Sequence, residues 1–294
     1  MPMSRLSFID SPFTTKSAYE AWTSLPAGEQ EAALGSAVLK AQNWAAPDMA
    51  LAACARELGV WPLDAANASL LDAVHPRNWS DPTPPAIYDL LVIGAGAGGL
   101  ISSKQSARRG ARSCMISEHL AGGDCLNVGC VPSKALLHCA RVAREARQAM
   151  AEGFLVGGIG TTPNLSVDFG AVMARMRRLR AKIAPADSHE GTAGAGADVY
   201  QGRGRFVGPN AVEVNGQTLH FKKAVIATGG RAAVPLATPG LAEAPYVTNA
   251  TLYNLTVLPP RMVVLGAGVV AMEMAQAFAA FGSQVHSRRR LRSV

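Results

Sequence analysis

The residues from Tyr88 to Glu118 constrain the fold more than any other part of this 294-residue chain. A short apolar strand, Tyr88 to Ile93, runs directly into a helical pattern whose first residues have G-x-G-x-x-G spacing, with Gly94, Gly96 and Gly99. A second strand, Ser113 to Ser117, ends at Glu118, at about the 20-residue distance of the dinucleotide fingerprint. The glycines permit a tight turn, the helix N-terminus binds a pyrophosphate, and the carboxylate accepts hydrogen bonds from a ribose. This stretch predicts an α/β fold that binds a dinucleotide.

A second stretch, closer to the C-terminus, repeats the pattern. The strand Met262 to Leu265 leads into Gly266 and Gly268, and Ala271 takes the place of the third glycine, as the dinucleotide pattern allows. The helix that follows carries Glu273 near its start. The sequence therefore predicts the beginning of a second nucleotide-binding unit.

Between these two stretches lies a pair of cysteines, Cys125 and Cys130, five positions apart. Pro132 fits the first turn of a helix, which would place Cys130 where unpaired N–H groups and the helix dipole favour a thiolate. Lys134 would lie one turn along on the same face. Structural zinc sites usually pair cysteines two to four residues apart, so we expect no metal here. The alternatives are a redox-active pair and two buried free cysteines.

The segment after the cysteine helix reads as a β-meander followed by a buried strand. The predicted meander strands are Asp198 to Val207, Ala211 to Val214 and Gln217 to Phe221. Gly and Asn residues mark both turns, and Asn-Gly is a strong hairpin signal. The buried strand, Ala224 to Gly230, ends in Thr-Gly-Gly.

In combination, these motifs resemble those of the class I flavoprotein disulfide reductases, that is, the FAD-dependent pyridine nucleotide-disulfide oxidoreductases, over about residues 86 to 285. The resemblance implies a Rossmann-like FAD-binding domain with a β-meander and the first part of an NAD(P)-binding Rossmann unit. It assigns FAD contact to Gly94, Gly96, Gly99, Glu118, Gly123, Thr228 and Gly229. It assigns NAD(P)H binding to Gly266, Gly268 and Glu273.

The same resemblance implies an electron path from NAD(P)H through flavin to a Cys125–Cys130 disulfide. Cys130 would lie next to the flavin, Cys125 would face the substrate, and Lys134 would lie near the flavin ring. The substrate would be a small-molecule disulfide or a metal ion, and the redox box is most similar to the mercury(II) reductase-like branch. The alternatives are dihydrolipoamide dehydrogenase or glutathione reductase-like activity, or a non-catalytic FAD-binding fragment. The chain contains no C-x-x-C sequence, which mercury(II) reductases often carry at the N-terminus.

We predict three domains. Residues 1–84 form a helical extension and linker, with helical patterns around Ala27 to Gln42 and Asp48 to Leu58. Residues 85–255 form the FAD-binding domain, and residues 256–294 form a truncated NAD(P)-binding domain. The resemblance implies a homodimer for the full-length family, but its interface domain is missing here. The unfinished sheet is expected to leave Met262 to Leu265 and the helix Met272 to Phe281 uncovered.

The net charge of +7 comes largely from Arg175 to Lys182 and from Arg288 to Arg292. The spacing of Val172, Met176, Leu179 and Ile183 predicts that the first basic segment is the solvated face of an amphipathic helix, not a nucleic-acid site. The second basic segment, Arg288 to Arg292, either recognises an NADP 2′-phosphate or interrupts a strand before its end.

The apolar run Met262 to Phe281 is long enough to span a bilayer, but its glycines favour a strand, turn and helix. We expect no membrane association. The N-terminus has no secretory signal pattern, and the five cysteines form no disulfide framework, so the chain is expected in the cytoplasm or an organelle.

Overall fold

The computed structural model describes residues 49–154, 165–235 and 237–288. The helix predicted around Ala27 to Gln42 lies outside the described residues. The helices are α1 (Met49–Glu57), α2 (Ala65–Val74), α3 (Ala97–Arg108), α4 (Gly123–Val128), α5 (Cys130–Ala151), α6 (Phe169–Asp187), α7 (His189–Ala193), α8 (Asn249–Leu252) and α9 (Val269–Phe281). The strands are β1 (Tyr88–Ile93), β2 (Ser113–Ser117), β3 (Ala197–Gln201), β4 (Arg205–Gly208), β5 (Ala211–Val214), β6 (Gln217–Ile226), β7 (Arg261–Leu265) and β8 (Gln284–Arg288).

The described residues divide into two compact units. The first unit comprises residues 49–131 and 178–253, apart from residue 236, and the second comprises residues 132–154, 165–177 and 254–288. The three domains predicted from the sequence stay a prediction. Helices α1 and α2 share one hydrophobic core with residues of α3, β2 and α4, including Leu71, Leu100, Met115 and Leu126.

A six-stranded sheet in the order β3-β2-β1-β6-β5-β4 forms the centre of the first unit. Strands β3, β2, β1 and β6 run parallel, with Leu91 opposite Cys114 on one side and Ala224 on the other. Strands β6, β5 and β4 are antiparallel. Fully buried β1 and β2 residues such as Leu91 and Met115 explain the continuous apolar runs in the sequence, because parallel sheets are covered on both faces. The predicted α/β Rossmann-like class is confirmed.

The predicted three-stranded meander is present as β4, β5 and β6, but the predicted bounds of its first and third strands were wrong. The first predicted strand, Asp198 to Val207, is divided into β3 and β4. The Gly202 N–H still donates to Ser117 O, and after this residue the chain leaves the parallel sheet. The third predicted meander strand and the strand predicted after it form one strand, β6. The predicted burial of its C-terminal part was wrong, since Ile226 is 67% exposed. Its N-terminal half pairs with β5 and its C-terminal half pairs with β1. Local periodicity cannot show that one strand changes neighbours along its length.

The prediction that the basic side chains of α6 lie on a solvated face was wrong for two of them. Arg177 is 8% exposed and Arg180 is 2% exposed, whereas Ile183, which was assigned to the buried face, is 42% exposed. The buried face is therefore rotated from the one that hydrophobicity predicts. A long side chain with a polar end can occupy such a position when its guanidinium finds acceptors.

In the second unit, β7 and β8 form a two-stranded parallel sheet, and α9 follows β7. The expectation that the helix of Met272 to Phe281 would lack a covering layer was partly wrong, since Phe169 of α6 packs its ring 5.7 Å from that of Phe278 and 5.9 Å from that of Phe281. Strand β7 does expose Val263 and Leu265. Strand β8 continues through Arg288, and the arginines after it lie outside the described residues. No helix among the described residues is long and apolar enough to cross a membrane.

Candidate functional site

The turn between β1 and α3 is held against the end of β6. Gly94 has φ +108°, and a Cβ on it would lie 2.2 Å from Ala227 O and 3.1 Å from Thr228 N. The Ala227 N–H donates to Ile93 O at 2.8 Å. The first predicted glycine and the Thr-Gly-Gly sequence therefore meet at the carboxyl edge of the parallel sheet, where α/β folds bind their ligands.

The N-terminus of α3 is built to approach an anion closely. Gly96 is the N-cap and supplies no capping side chain, so the first-turn N–H groups are not satisfied by a cap. A Cβ on Gly123 would lie 2.6 Å from Gly96 Cα, and a Cβ on Gly99 would lie 1.8 Å from Gly94 O. Side chains are thus excluded from this turn. These observations fit the pyrophosphate of a dinucleotide, whose charge such a helix terminus stabilises.

Glu118 and Gly229 lie at the same edge of the sheet, since they follow the carboxyl ends of β2 and β6. The Glu118 side chain is 62% exposed, and its Oε1 lies 3.7 Å from Arg203 Nε. Such an exposed ion pair is weak, so the carboxylate can exchange it for ribose hydroxyls. Gly229 has φ +69° and no heavy atom within 4 Å of the position of a Cβ.

The two predicted redox cysteines flank the junction of α4 and α5. Helix α4 contains Cys125, and α5 begins at Cys130 with Pro132 in its first turn, as the sequence predicted. The bend between the two helices lies at Gly129. A side chain does not fit there, because a Cβ would lie 2.7 Å from Asp124 O. Both cysteines are in the reduced state in this structure, with no disulfide between them. The Cys125 pKa is raised to about 11, first by its hydrogen bond with the Cys130 thiol and then by burial.

Two thiols in mutual contact can exchange two electrons and two protons by forming a disulfide. The contact between Gly123 and Gly96 joins α4 to the turn that precedes α3. Residues from the dinucleotide fingerprint, the cysteine box and the Thr-Gly-Gly strand are thereby assembled in one unit, although they are separated in the sequence. This arrangement can carry out thiol–disulfide exchange beside a nucleotide site.

Three residues around α4 were missed by sequence reasoning. Buried Asn127 donates from Nδ2 to Ala121 O and to Gly123 O, both at 2.9 Å. Arg180 donates from Nη1 to Asn127 O at 2.7 Å and from Nη2 to Asn67 Oδ1 at 2.6 Å. Asn127 lies between the cysteines, which could have marked it. The contact of Asn67 with Arg180 joins residues 113 positions apart, and no local pattern indicates it.

The remaining predicted residues belong to the second unit. Gly266 has φ +139° and Gly268 is the N-cap of α9, which repeats the geometry of the first glycine turn. Lys134 Nζ lies 2.6 Å from Glu273 Oε1. The sequence singled out both residues but did not predict that they pair. The second unit thus places a lysine of the cysteine-bearing helix against the helix that follows the second glycine turn.

Comparison with known proteins shows what this arrangement is similar to. The profile of a family described as pyridine nucleotide-disulphide oxidoreductase matches residues 88–293. The chain is 32% identical over 206 residues to dihydrolipoyl dehydrogenase of Acholeplasma laidlawii, which covers 67% of this chain and 58% of that protein. It is 33% identical over 198 residues to mercuric reductase of Lysinibacillus sphaericus, which covers 67% of this chain and 35% of that protein.

A solved structure with similar architecture is the HOCl-induced flavoprotein disulfide reductase RclA from Escherichia coli. The TM-score is 0.56 at 28% identity, covering 68% of this chain and 41% of that chain. The Cu(II) complex of the same protein gives a TM-score of 0.57 at 26% identity, covering 70% and 43%. This chain therefore spans between about a third and three fifths of the length of these relatives.

Proposed function

The chain belongs to the pyridine nucleotide-disulphide oxidoreductase family, and from that premise we propose that Cys125 and Cys130 are its redox pair. In this proposal the pair lies beside FAD and delivers two electrons to a small-molecule disulfide or to a metal ion. The observation that carries it is the hydrogen-bonded thiol pair at the junction of α4 and α5, joined through Gly123 to the anion-binding turn at Gly96.

Members of this family use FAD and NAD(P)H. When bound, FAD would accept a hydride from the nicotinamide and release electrons to a disulfide. We assign its pyrophosphate to the α3 N-terminus with Gly94, Gly96 and Gly99, and its ribose to Glu118. Gly123, Thr228 and Gly229 complete that site through their backbone.

We assign the NAD(P)H site to Gly266, Gly268 and Glu273. Glu273 Oε1 lies 2.6 Å from Lys134 Nζ, so the two side chains form an ion pair in the second unit. In the proposed reaction, Lys134 supplies positive charge near the flavin, Cys130 is the sulfur next to it, and Cys125 attacks the substrate.

Two substrate classes are supported by the relatives. Similarity to mercuric reductases supports a metal ion, and the Cu(II) complex of RclA is consistent with a metal ion at this fold. Similarity to dihydrolipoyl dehydrogenases supports a small dithiol or disulfide. A non-catalytic FAD-binding fragment is the alternative, because the chain spans only part of its relatives. The homodimer of the full-length family and a reducing compartment, cytoplasmic or organellar, are part of the same proposal.

Flavin titration and thiol mapping test this function. We expect the purified chain to quench FAD fluorescence on binding, and diamide to join Cys125 to Cys130 within one peptide pair detected by mass spectrometry. C125S and C130S should each abolish that bridge, while C139S serves as the matched control and should retain it. A chain that binds no FAD, or that bridges other cysteines instead, contradicts the proposal.

Substrate assays separate the remaining alternatives. Reduction of Hg(II) with consumption of NADH or NADPH supports the metal-ion class, and reduction of lipoamide or glutathione disulfide supports the other. Flavin binding without any oxidation of NADH or NADPH supports the alternative of a non-catalytic FAD-binding fragment.

A further inference from the structure

Helix α2 is linked to the cysteine-bearing turn at two points, once directly and once through Arg180 of α6. The Ala121 N–H donates to Val74 O at 2.9 Å, so the last residue of α2 accepts a hydrogen bond from the residue before Gly122, the N-cap of α4. Seven residues earlier, on the same buried face of α2, Asn67 Oδ1 accepts from Arg180 Nη2 at 2.6 Å. We refer to Asn67, Val74, Ala121 and Arg180 as the α2 clamp.

Arg180 also contacts the C-terminal end of α4 and so connects it to Asn67 of α2. Its Nη1 donates to Asn127 O at 2.7 Å, and Asn127 lies between the two cysteines. The Asn127 side chain in turn donates to Ala121 O and Gly123 O at the start of α4. The clamp therefore holds both ends of the short helix that carries Cys125.

The clamp is buried and surrounded by a hydrophobic core. Arg180 is 2% exposed, and Asn67 is fully buried. Leu70 and Leu71 of α2 belong to the same core cluster as Leu126 of α4. A buried guanidinium that loses its acceptors strongly destabilises the fold. The groups that accept from Arg180 are therefore held close to it.

Helix α2 lies before residue 88, where the match to the family begins. Its contacts with α4 are accordingly a property of this chain beyond the family match. The α2 helix starts with a well-formed cap, since Asp64 Oδ1 accepts from the Asn67 N–H at 2.9 Å. The segment is thus an ordered part of the first unit and is in contact with the redox turn.

We propose that Arg180 is a positioning residue, through which α2 sets the reduction potential of the Cys125–Cys130 pair; this rests on the redox role proposed above. By holding α4 at both ends, the clamp keeps the two sulfurs at a distance that favours their intramolecular disulfide. Loosening it lowers the effective concentration of one thiol at the other. The disulfide then becomes easier to reduce.

The experiment is equilibration of the full chain in glutathione buffers, followed by acid quenching, alkylation and mass spectrometry of the bridged peptides. In the reaction, an S–S bond forms between Cys125 and Cys130 while that of glutathione disulfide breaks. The two electrons and two protons of the pair pass to two molecules of glutathione. The wild-type chain tests the redox pair itself, and the variants test the clamp.

We expect R180M and N67A each to lower the equilibrium constant for disulfide formation about tenfold, which makes the potential about 30 mV less negative. The double variant should shift it no further than R180M alone, because R180M already removes the contact with Asn67 that N67A breaks. R178M is the matched control, since Arg178 is an exposed neighbour on α6, and it should match the wild type. R180K, which keeps the charge but loses the two-armed geometry, should lie between.

The variant N67D distinguishes the effect of the Asn67–Arg180 contact on the reduction potential from the effect of the other Asn67 side-chain bond on the stability of α2. Asn67 Nδ2 also donates to Pro62 O at 2.6 Å, and the aspartate loses that bond while retaining an oxygen for Arg180. N67D should therefore keep the wild-type potential. Folded variants R180M, R180K and N67A with unchanged potentials would overturn the inference, as would additive shifts in the double variant. A wild-type chain that forms no Cys125–Cys130 disulfide would instead contradict the proposed function.

Discussion

Lys134 and Glu273 form an ion pair in which Nζ lies 2.6 Å from Oε1, although 139 positions separate them in the sequence. Their side chains are 63% and 33% exposed. Solvent screens a pair of this kind, so its contribution to stability is small even at this short distance. In this structure the pair places the lysine beside α9.

We predict that K134M and E273Q each lower the free energy of unfolding by no more than about 1 kcal/mol. Thermal unfolding should show a decrease of about 2–4 °C at low salt, and the difference should fade in 1 M NaCl because salt screens exposed charges. R144M, which changes an exposed arginine of α5, is the control. A larger decrease that persists at high salt would show that the pair is structural.

The pKa of Cys125 predicts its reactivity. With a pKa of about 11, Cys125 holds about a hundredfold less thiolate below pH 9 than a thiol at the usual 9.0. Its alkylation by iodoacetamide, followed by mass spectrometry, should still accelerate between pH 9 and 11. In C130A, the hydrogen bond that the Cys125 thiol donates to Cys130 is lost, and alkylation of Cys125 at pH 8 should rise about tenfold. A wild-type profile that levels off by pH 9 would contradict this.

Gly94 is expected to tolerate no side chain. G94A places a Cβ 2.2 Å from Ala227 O at φ +108°, and such backbone strain costs of the order of 1–3 kcal/mol. The variant should unfold at lower denaturant concentration and lose FAD binding. G230A is the matched control, because Gly230 follows the neighbouring strand β6 and has nothing within 4 Å of an added Cβ. Equal behaviour of the two variants would rule out the close-packed turn.

The second unit exposes several apolar side chains of β7 and α9, among them Val263, Leu265, Val269, Val270 and Met272. Val269 is 80% exposed and Val263 is 63% exposed. We refer to these five side chains as the exposed apolar surface, and exposed apolar surface promotes association. V263T and V269S should reduce light scattering and the fluorescence of a hydrophobic dye. V207T, in the first unit at 47% exposure, is the control, and equal decreases in all three variants would contradict a special role for this surface.

Much of the α/β framework could be predicted from local patterns. The bounds of β1, β2 and β5 agree with the predicted ones, because apolar strands bordered by glycine turns are encoded within a few residues. Helix α2 was missed. Its sequence, AANASLLDAV, mixes polar and apolar residues, and its helical state is supported by the Asp64 cap and by burial of Leu70 and Leu71.

The sequence alone determined which residues are candidates for the chemistry, because two glycine turns and a spaced thiol pair are each encoded locally. Only the tertiary structure decided which of them meet. The contacts of Arg180 with Asn67 and of Lys134 with Glu273 each cross more than a hundred residues. They depend on how helices pack, and the burial of a charged side chain such as Arg180 depends on acceptors that hydrophobic periodicity does not reveal.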